Sequence, residues 1–427
     1  MKNKKKLLLI ELNEINFDIV KKYNLKFNFK FFNKFFFSQL KKTKSEDDYD
    51  LLEPWIQWVS IHTGKSAKEH KIFRLGDIKN FSHEQIFEVI EKKKKTVGAI
   101  CPMNVKNNLN HAPYFISDPW TKTVSGPGLW NKFVAKNISE IVNANSHKKI
   151  NYKILINILI IIIKNFRFVN LRLYFNLFFK SLFRKWNKAL ILDLILHDIH
   201  MKLIKKNNVD FSTIFFNAGA HIQHHYFLNS FYIKKFSNIK NPSWYIKENY
   251  DPLEDMILFY DNILYEYSLL KDYEIILATG LCQIPYDRVK YYYRLVNHEN
   301  FLRIIKINFL KVEPRMTRDF LISFDNEKDL EIAFEKLNLI NLLNKKEIFE
   351  IDKRKTSLFV SLVISFEITR NYSMYIDTNR SIILKNHVSF VALKNGMHSS
   401  TGYIFSSFKM NDIVNVKEIF KEINNYF

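Results

Sequence analysis

Cysteine is almost absent from this chain of 427 residues, which contains only Cys101 and Cys282. Two cysteines so far apart cannot form a CxxC motif, and they are too few for a disulfide framework. This scarcity fits a reducing compartment and predicts a cytoplasmic protein, which could lie at the inner face of a membrane. Glycine and proline are also scarce, with nine of each, which excludes collagen-like and linker-rich architectures.

Long apolar runs are absent as well. The stretch Leu7–Ile10 is interrupted by Glu11 and is too short for the core of a signal peptide, so it is predicted to be a buried strand. The most apolar run, Ile154–Ile163, is about half of the roughly 20 residues that a spanning helix needs. The sequence therefore predicts no membrane-spanning segment.

Acidic residues are outnumbered, with 43 Asp and Glu against 65 Lys and Arg and a net charge of +22. Such a balance suits an anionic partner, for example a phospholipid or a phosphorylated substrate. It can also be compositional, because Lys, Asn, Ile, Phe and Tyr are all abundant, as expected of an AT-rich genome. We favour the compositional interpretation and predict no nucleic-acid partner, while the oligomeric state stays open.

The segment Ser146–Lys188 contains ten Lys and Arg residues and no Asp or Glu, interleaved with Phe, Leu and Ile. This pattern predicts basic amphipathic helices, for example over Phe166–Trp186, and such helices can lie on an anionic membrane surface. The alternative, which we slightly favour, is a cap of packed helices whose lysines are simply solvated. Peripheral membrane contact through residues 146–188 therefore stays open.

The N-terminal third alternates apolar strands with helical segments. Lys6–Leu12 and Val97–Cys101 are predicted strands, and Phe81–Lys93 between them is a predicted helix with Ser82 as its cap. Because the unbroken apolar strands need both faces covered, this alternation predicts parallel βαβ units and an α/β fold. The length suits one large α/β domain with an insertion, or two domains. Further predicted elements are the helices Asn187–Lys205, Glu254–Lys271, Glu327–Leu343 and Val416–Asn425, and the strands Ser212–Asn217, Glu274–Thr279, Phe320–Phe324, Thr356–Ser365 and Val388–Leu393.

Three histidines follow the predicted strand Ser212–Asn217. His221 and His225 are four residues apart, so on a helical turn both imidazoles face the same side and can reach one Zn²⁺. The end of a parallel strand also borders the usual ligand crevice of an α/β sheet, although a surface or stacked histidine pair is the more common explanation. His398 lies in a glycine-flanked loop after Val388–Leu393. It would complete a catalytic site with an open position if that strand neighbours Ser212–Asn217.

Two tryptophans and an amide are close together around residue 57. Trp55, Gln57 and Trp58 suggest a polar amide held between aromatic walls, and a tryptophan-lined core helix explains the pattern equally well. The pair Thr63–Gly64 is predicted to end this helix and to begin a turn that leads to His70.

The order of these motifs resembles the alkaline phosphatase superfamily, in particular its type I phosphodiesterase/nucleotide pyrophosphatase branch. The resemblance covers most of the chain, from about residue 7 to residue 402, and rests on four motifs: Glu11–Asp18, Ser60-x-x-Thr63-Gly64 with His70, His221-x-x-x-His225 and Gly396-x-His398. It implies an alkaline phosphatase-like α/β sandwich with a central, mostly parallel sheet and two insertions. The implied α/β core comprises residues 1–129, 206–299 and 387–427, with a basic helical insertion at 130–205 and an α+β insertion at 300–386.

The resemblance also implies a metal site. In that branch two zinc ions lie at the C-terminal edge of the sheet, and the ligands of one ion correspond here to His221, His225 and His398. The positions that serve the other ion and the nucleophile have lost the required donor atoms. They are Asn13, Pro54 and Gly280–Leu281.

Gln57 keeps an amide that contacts the phosphoryl oxygen in the family. The resemblance therefore implies one Zn²⁺, or another divalent metal, in a His₃ site, with Gln57 and Asn13 as the residues predicted to be catalytic. The implied reaction is attack by metal-activated hydroxide on the phosphoester of a small molecule, glycan or lipid, without a phospho-threonine intermediate. Glu11, Glu14 and Glu53 stay open as general base. The predicted function is a divergent metal-dependent hydrolase of the phosphodiesterase type, and the alternative is an inactive relative that keeps the fold for binding or scaffolding.

Overall fold

The computed structural model describes residues 4–144, 151–315, 317–342, 346–377 and 379–427. They form two compact units. Unit 1 takes in the described residues of 1–142, 150–286 and 396–427, and unit 2 those of 143–149 and 287–395. The strands are β1 (Lys6–Leu12), β2 (Lys41–Lys44), β3 (Val97–Ile100), β4 (Tyr114–Ile116), β5 (Phe211–Phe216), β6 (Tyr273–Ala278), β7 (Cys282–Leu295), β8 (Lys311–Pro314), β9 (Asp319–Ser323), β10 (Asn341–Leu342), β11 (Lys346–Glu347), β12 (Phe349–Arg354), β13 (Ser357–Leu362), β14 (Ser373–Tyr375), β15 (Ser381–Ile383), β16 (Val388–Ser399) and β17 (Thr401–Ser406).

The helices of the described residues vary from four to 21 residues in length. They are α1 (Phe17–Tyr23), α2 (Lys34–Gln39), α3 (Pro54–Thr63), α4 (Ala67–His70), α5 (Ile86–Lys92), α6 (Leu129–Ala144), α7 (Tyr152–Asn165), α8 (Leu171–Phe183), α9 (Asn187–Asn207), α10 (Ala218–Tyr226), α11 (Phe231–Lys234), α12 (Pro252–Ser268), α13 (His298–Ile304), α14 (Glu327–Leu339) and α15 (Glu418–Tyr426).

Unit 1 is built on a seven-stranded sheet in the order β2-β17-β6-β1-β5-β3-β4. The five strands β6, β1, β5, β3 and β4 run parallel, whereas β17 is antiparallel to both β6 and β2. In the centre, Leu9 of β1 is level with Thr213 of β5 and Ile276 of β6. The predicted α/β class, with a central and mostly parallel sheet, is confirmed.

Helices cover both faces of this sheet. Phe211 and Ser212 are neighbours on β5, so their side chains point to opposite faces. The ring of Phe211 lies 6.2 Å from that of Phe87 in α5, while Ser212 Oγ lies 2.7 Å from Nε2 of His200 in α9. Helices α3, α5 and α15 pack together on the first face, and α9, α10 and α12 pack together on the second. This double cover explains why the strands are unbroken apolar runs.

Unit 2 contains two small antiparallel sheets, in the orders β12-β13-β9-β8 and β11-β10-β14-β15. Helix α14 packs against β12 and β13. Leu330 and Leu337 of α14 are buried, as are Phe320 and Ile322 of β9. The division of the chain into five segments stays a prediction.

Two predicted helices begin or end elsewhere. The helix predicted over Phe81–Lys93 begins only at Ile86, because Gln85 rather than Ser82 caps it, with the backbone N–H of Gln85 donating to the Glu88 carboxylate at 2.8 Å. The helix predicted over Glu327–Leu343 ends at Leu339, and residue 343 lies outside the described residues.

The basic segment forms two helices rather than one continuous run. The helix predicted over Phe166–Trp186 is the shorter α8, and the 3₁₀ turn Phe168–Asn170 separates it from α7. Residues 146–150, where the basic segment begins, lie outside the described residues. In the described part of the chain no single helix is long and apolar enough to cross a membrane. Tyr152–Asn165 and Phe168–Phe183 meet that requirement only as a pair, bent by 117°.

The strand predicted over Val388–Leu393 is longer than expected. It continues as β16 to Ser399 and pairs with β7, whereas the neighbours of β5 are β1 and β3. His398 therefore lies in a strand and not in a loop, and β16 does not neighbour β5.

Candidate metal centre

The carboxyl edge of the parallel sheet gathers polar side chains from three parts of unit 1. Asn13 and Glu14 follow β1, and Asn217 follows β5 and begins α10. His398 stands near the end of β16, directly before β17, which enters the sheet beside β6. Because parallel strands present their carboxyl ends at one edge, residues distant in sequence meet there.

The side chains of Glu14, His224 and His398 converge at this edge of the sheet. Oε2 of Glu14 lies 3.1 Å from Nε2 of His224 and 3.2 Å from Nε2 of His398. One donor atom from each of the three residues lies within 4.8 Å of the other two. Glu14 and His398 are buried and His224 is half-buried, so this group of donors is reachable mainly from the side of His224.

The position of Glu14 is fixed by its backbone and by amides around it. Its φ angle is 60°, a left-handed conformation that is uncommon outside glycine and clusters at functional sites. Its carboxylate accepts hydrogen bonds from Nδ2 of Asn13 at 3.0 Å and from Nε2 of Gln283 at 2.5 Å. Its carbonyl accepts one from Nε2 of Gln223 at 2.7 Å. The carboxylate is therefore held in one orientation before any ligand binds.

The charge of Glu14 is maintained despite its burial. Burial alone would raise the pKa of this carboxyl, but the charges and hydrogen bonds of His224 and His398 outweigh it and lower the pKa well below the usual range. An ionised carboxylate is the form that binds a cation, and the two imidazoles would give up any protons on binding one.

Helix α10, which carries His224, is anchored by a buried carboxylate from α9. Asp193 accepts hydrogen bonds from the backbone N–H of Ala218 at 3.0 Å and from the Tyr260 hydroxyl at 2.7 Å. A carboxylate at a helix N-terminus satisfies N–H groups that have no partner within the helix. At Gly219 an added Cβ would lie 2.1 Å from Cδ1 of Ile15, so a side chain there would displace Ile15 in the loop after β1.

The two histidines predicted as a ligand pair do lie together. The rings of His221 and His225 are 4.7 Å apart, centroid to centroid, and His225 is 6.3 Å from His224. His224 is in turn 5.2 Å from His398, so four imidazoles form a continuous row. His221 is exposed, whereas His224 and His225 are half-buried. The ligand set His221, His225 and His398 stays a prediction.

Asn13 and Gln57 occupy different surroundings. Asn13 is held by Nε1 of Trp58, which donates to its Oδ1 at 2.8 Å, while its Nδ2 donates to Oδ1 of Asn217 at 2.8 Å. Gln57 is fully buried in α3, and its Nε2 donates to the carbonyl of Leu51 at 2.8 Å. Within the described residues, Oε1 of Gln57 is a buried acceptor without a hydrogen-bond donor. The catalytic roles of Asn13 and Gln57 stay predictions.

The other positions named by the resemblance lie at the ends of helices or against a buried side chain. Pro54 is the first residue of α3, and Thr63 is its last, followed by Gly64 in the left-handed conformation as predicted. His70 accepts a hydrogen bond from the backbone N–H of Ile72 at 3.0 Å, and burial lowers its pKa to about 4. Gly280 lies against the Trp58 ring.

The three carboxylates left open as general base are now distinguishable. Glu11 is fully buried and lies 3.0 Å from Nε2 of His62. Glu14 lies between the two imidazoles. Glu53, the residue before α3, has a side chain that is 35% exposed, and its Oε2 lies 3.7 Å from Nδ1 of His398.

From the sequence, His224 was not selected as a ligand candidate from the histidine cluster, and Glu14 was considered only as a general base. The spacing of four residues directed attention to His221 and His225, although His224 lies on the same helix, one residue before His225. Glu14 directly follows a buried strand and the asparagine at position 13. An acidic residue at the carboxyl end of a parallel strand is the signal that could have identified it.

The donor set fits a divalent metal ion. Two imidazole nitrogens and one carboxylate oxygen are a known ligand set for catalytic zinc, which keeps a fourth position open. Nδ1 of His224 lies 3.4 Å from the carbonyl of Gly396, and such a contact on the second ring nitrogen turns Nε2 toward a metal. A Cβ at Gly396 would lie 2.2 Å from Oε1 of Gln283, so the strand reaches this point only with glycine there.

Comparisons with known proteins give weak structural likenesses. No protein-family model and no curated protein sequence matches this chain. Three similar solved structures are phosphonoacetate hydrolase from Sinorhizobium meliloti 1021 (10% identity, 99% of this chain and 96% of that chain, TM-score 0.42), human ectonucleotide pyrophosphatase/phosphodiesterase 5 (10%, 98% and 93%, 0.40) and the alkaline phosphatase PafA (11%, 97% and 94%, 0.44). All three TM-scores lie below 0.5. The resemblance to the alkaline phosphatase superfamily rests on the order of the motifs in this chain.

Proposed function

We propose that unit 1 is a metal-dependent hydrolase of a phosphoester, with one divalent ion, Zn²⁺ in the first place, held by Glu14, His224 and His398. The observation that carries this proposal is the convergence of their three donor atoms within 4.8 Å. The alternative ligand set from the sequence, His221, His225 and His398, shares one member with it. Both sets have three protein ligands and leave a position open for chemistry.

Zn²⁺ or another divalent ion at this place would supply Lewis acidity toward a phosphoryl oxygen and an attacking water. The protein's own contribution is orientation. Asn13 and Gln283 hold the carboxylate of Glu14, and the Gly396 carbonyl orients the His224 ring. Preorganised ligands of this kind need no rearrangement during the reaction.

Glu53 is the carboxylate best placed to accept a proton. It is partly exposed, and it faces His398 at 3.7 Å, whereas Glu11 is sealed in the core beside His62 and Thr213. Glu14 is engaged as a ligand in this proposal. A general base must reach both solvent and substrate, and of the three carboxylates Glu53 meets the first requirement.

For the substrate we propose a chemical class, a phosphoester, and no individual compound. A phosphoester fits the resemblance and the net charge of +22, because an anionic substrate is drawn to a basic protein. We further propose a glycan-linked or lipid-linked phosphoester, on the ground of the basic and aromatic segment 151–188.

The decisive experiment combines elemental analysis with hydrolysis of bis(p-nitrophenyl) phosphate. We expect about one metal ion per chain, and loss of metal and of activity in His398→Gln, which belongs to both ligand sets. His224→Gln and His225→Gln separate the sets. Loss of metal in His224→Gln alone supports the set with Glu14, and loss in His225→Gln alone supports the set with His221. Activity should fall at least about tenfold with the loss of a ligand.

Some results would contradict the proposal. Protein that is metal-free and fully stable, with no hydrolysis after addition of Zn²⁺, Mg²⁺ or Mn²⁺, would favour the inactive relative with a binding or scaffolding role. Two ions per chain would show that the degraded positions around Asn13 still bind metal.

A further inference from the structure

Helices α7 and α8 expose apolar side chains at helical spacing. In α7 these include Ile156, Leu159 and Ile163, and in α8 they include Phe175, Phe179 and Leu182; each is between 52% and 68% exposed. We call these six residues the apolar face. Intervals of three and four residues put the members of each helix on one side of it. In a helix on the surface of a water-soluble protein, by contrast, the apolar stripe faces the core.

The opposite sides of the same helices pack against the rest of unit 1. Both α7 and α8 pack on α9. Nζ of Lys180 lies 2.9 Å from Oδ1 of Asp255, and a guanidinium nitrogen of Arg184 lies 3.0 Å from Oδ2 of the same carboxylate. Arg167, between the helices, lies 2.6 Å from Glu266. The charged side chains thus anchor the helices inward, so the outward orientation of the apolar face is built into the fold.

The helices that carry the apolar face, with their flanking residues, bear charge of one sign. Residues 151–188 include no Asp or Glu. Lys153, Arg172, Lys185 and Lys188 are exposed, in addition to the basic residues that are paired inward. An apolar face on helices that carry only basic charge matches a bilayer that contains anionic lipids, since apolar burial and attraction to headgroups then act together.

The dimensions favour a position in one leaflet. Helix α7 has 14 residues and α8 has 13, or roughly 20 Å each at 1.5 Å per residue. The hydrocarbon core of a bilayer is about 30 Å thick. The pair is bent by 117°, so the chain turns back after α7 instead of continuing across.

We propose that α7 and α8 dock unit 1 on a membrane that contains anionic lipid, with the apolar face inserted at the level of the headgroups and upper acyl chains. A second copy of this chain fits the surface less well, because two-fold pairing would bring two sets of basic side chains together. This inference goes beyond the proposed function and does not rest on it, since no residue of the metal centre takes part.

Flotation with lipid vesicles tests the proposal. The full chain is mixed with vesicles of phosphatidylcholine alone, or of equimolar phosphatidylcholine and phosphatidylglycerol, and separated on a density gradient. We expect flotation with the anionic vesicles and a weaker association with the neutral ones, with added salt reducing the difference. The double variant Leu159→Glu/Phe179→Glu should partition at least about tenfold less, because two apolar side chains no longer enter the bilayer.

The matched control is Leu25→Glu/Leu339→Glu, which places the same charge at two exposed leucines outside α7 and α8. It should float like the wild type. Because Leu159 and Phe179 face solvent, their replacement should leave the melting temperature unchanged. Wild-type protein that fails to float overturns the proposal. So does a wild-type dimer, in the absence of lipid, that Leu159→Glu/Phe179→Glu converts to a monomer, since the apolar face would then bind a second copy.

Discussion

At the residue scale, Glu14 is the group on which the candidate centre depends. Its carboxylate is the shared neighbour of His224 and His398, and it brings the only negative charge to the donor set. An anionic ligand increases affinity for a divalent cation, whereas a buried carboxylate without one must be neutralised by its neighbours. Here the two imidazoles supply that compensation, so the same three side chains suit both a metal-bound and a metal-free protein.

Replacing Glu14 by Gln keeps the size of this side chain and removes its charge. We expect at least about a tenfold loss of Zn²⁺ affinity, measured by competition with a chromophoric chelator. Glu11→Gln is the matched control. Glu11 lies three residues before Glu14 and is also a buried carboxylate beside a histidine, with its Oε1 at 3.0 Å from Nε2 of His62. That variant should change stability and leave Zn²⁺ affinity as it was. Equal losses of affinity in both variants would contradict the role of Glu14.

Close packing around Gly396 gives a second prediction at this scale. A Cβ there would lie 2.2 Å from Oε1 of Gln283 and 2.8 Å from the carbonyl of Gln223. Gly396→Ala should therefore displace the strand that carries His398, at a cost of about 1–3 kcal/mol in the free energy of unfolding, and should weaken Zn²⁺ binding. Urea unfolding and chelator competition measure the two effects. Unchanged affinity together with lowered stability would show that His398 is not held through Gly396.

The sequence identifies the kinds of residue in the centre better than their combination. His398 and the histidine cluster after β5 were predicted as ligand candidates from sequence, but periodicity alone selected His221 and His225. The face of α10 that turns toward Glu14 is in close contact, at Gly219, with Ile15. Such a contact joins two loops that are about two hundred residues apart, and no local pattern encodes it.

At the scale of elements, the orientation of α10 is set by α9. The Asp193 side chain is fully surrounded by protein and accepts hydrogen bonds from Ala218 and Tyr260. Burial raises its pKa from 3.8 to about 7, against the opposing effect of these hydrogen bonds. The folded protein therefore retains a proton on Asp193 over a range in which the unfolded chain has lost it.

This raised pKa predicts a pH-dependent contribution to stability. The contribution of Asp193 is fully present below its ordinary pKa of 3.8 and is lost as the pH rises through about 7. Asp193→Asn does not titrate. Relative to that variant, the wild type should lose about 2–3 kcal/mol of unfolding free energy between about pH 5 and about pH 8. Urea unfolding at the two pH values measures the difference. The exposed Asp47→Asn should follow the wild type, and a parallel pH dependence in Asp193→Asn and the wild type would contradict the raised pKa.

The predictability of the elements follows from how each is buried. The strands β1, β3, β5 and β6 were predicted within about one residue, because each is an apolar run covered on both faces. The start of α5 was misplaced, since a glutamine caps it instead of the more common serine. The β-pairing of β16 with β7 was not predicted, because pairing partners are chosen by the whole fold.

At the scale of the whole molecule, the three donors of the candidate centre all lie in unit 1, although His398 follows unit 2 in sequence. Most of unit 2, residues 287–395, lies in sequence between two segments of unit 1, so the chain must pass through unit 2 before it reaches the third donor. A ligand that binds only the folded form stabilises the part of the protein that supplies its donors. Metal should therefore act on unit 1 and leave unit 2 unaffected.

Hydrogen exchange with and without Zn²⁺ tests this expectation over the entire chain. At a free concentration about one hundred times the dissociation constant, Zn²⁺ should stabilise unit 1 by about 2.7 kcal/mol. Amides of β1, β5 and α10 that exchange through unfolding of unit 1 should then slow by about a hundredfold. Those of β9, β12 and β13 in unit 2 should keep their rates.

The variant His398→Gln is the control for this experiment. It should abolish the effect without a change in unit 2, which separates binding at the centre from adsorption of metal to surface histidines. Equal protection in both units would mean that the metal binds elsewhere or that the units unfold together. An effect that survives His398→Gln would remove that residue from the ligand set and, with it, the basis for a centre formed by Glu14, His224 and His398.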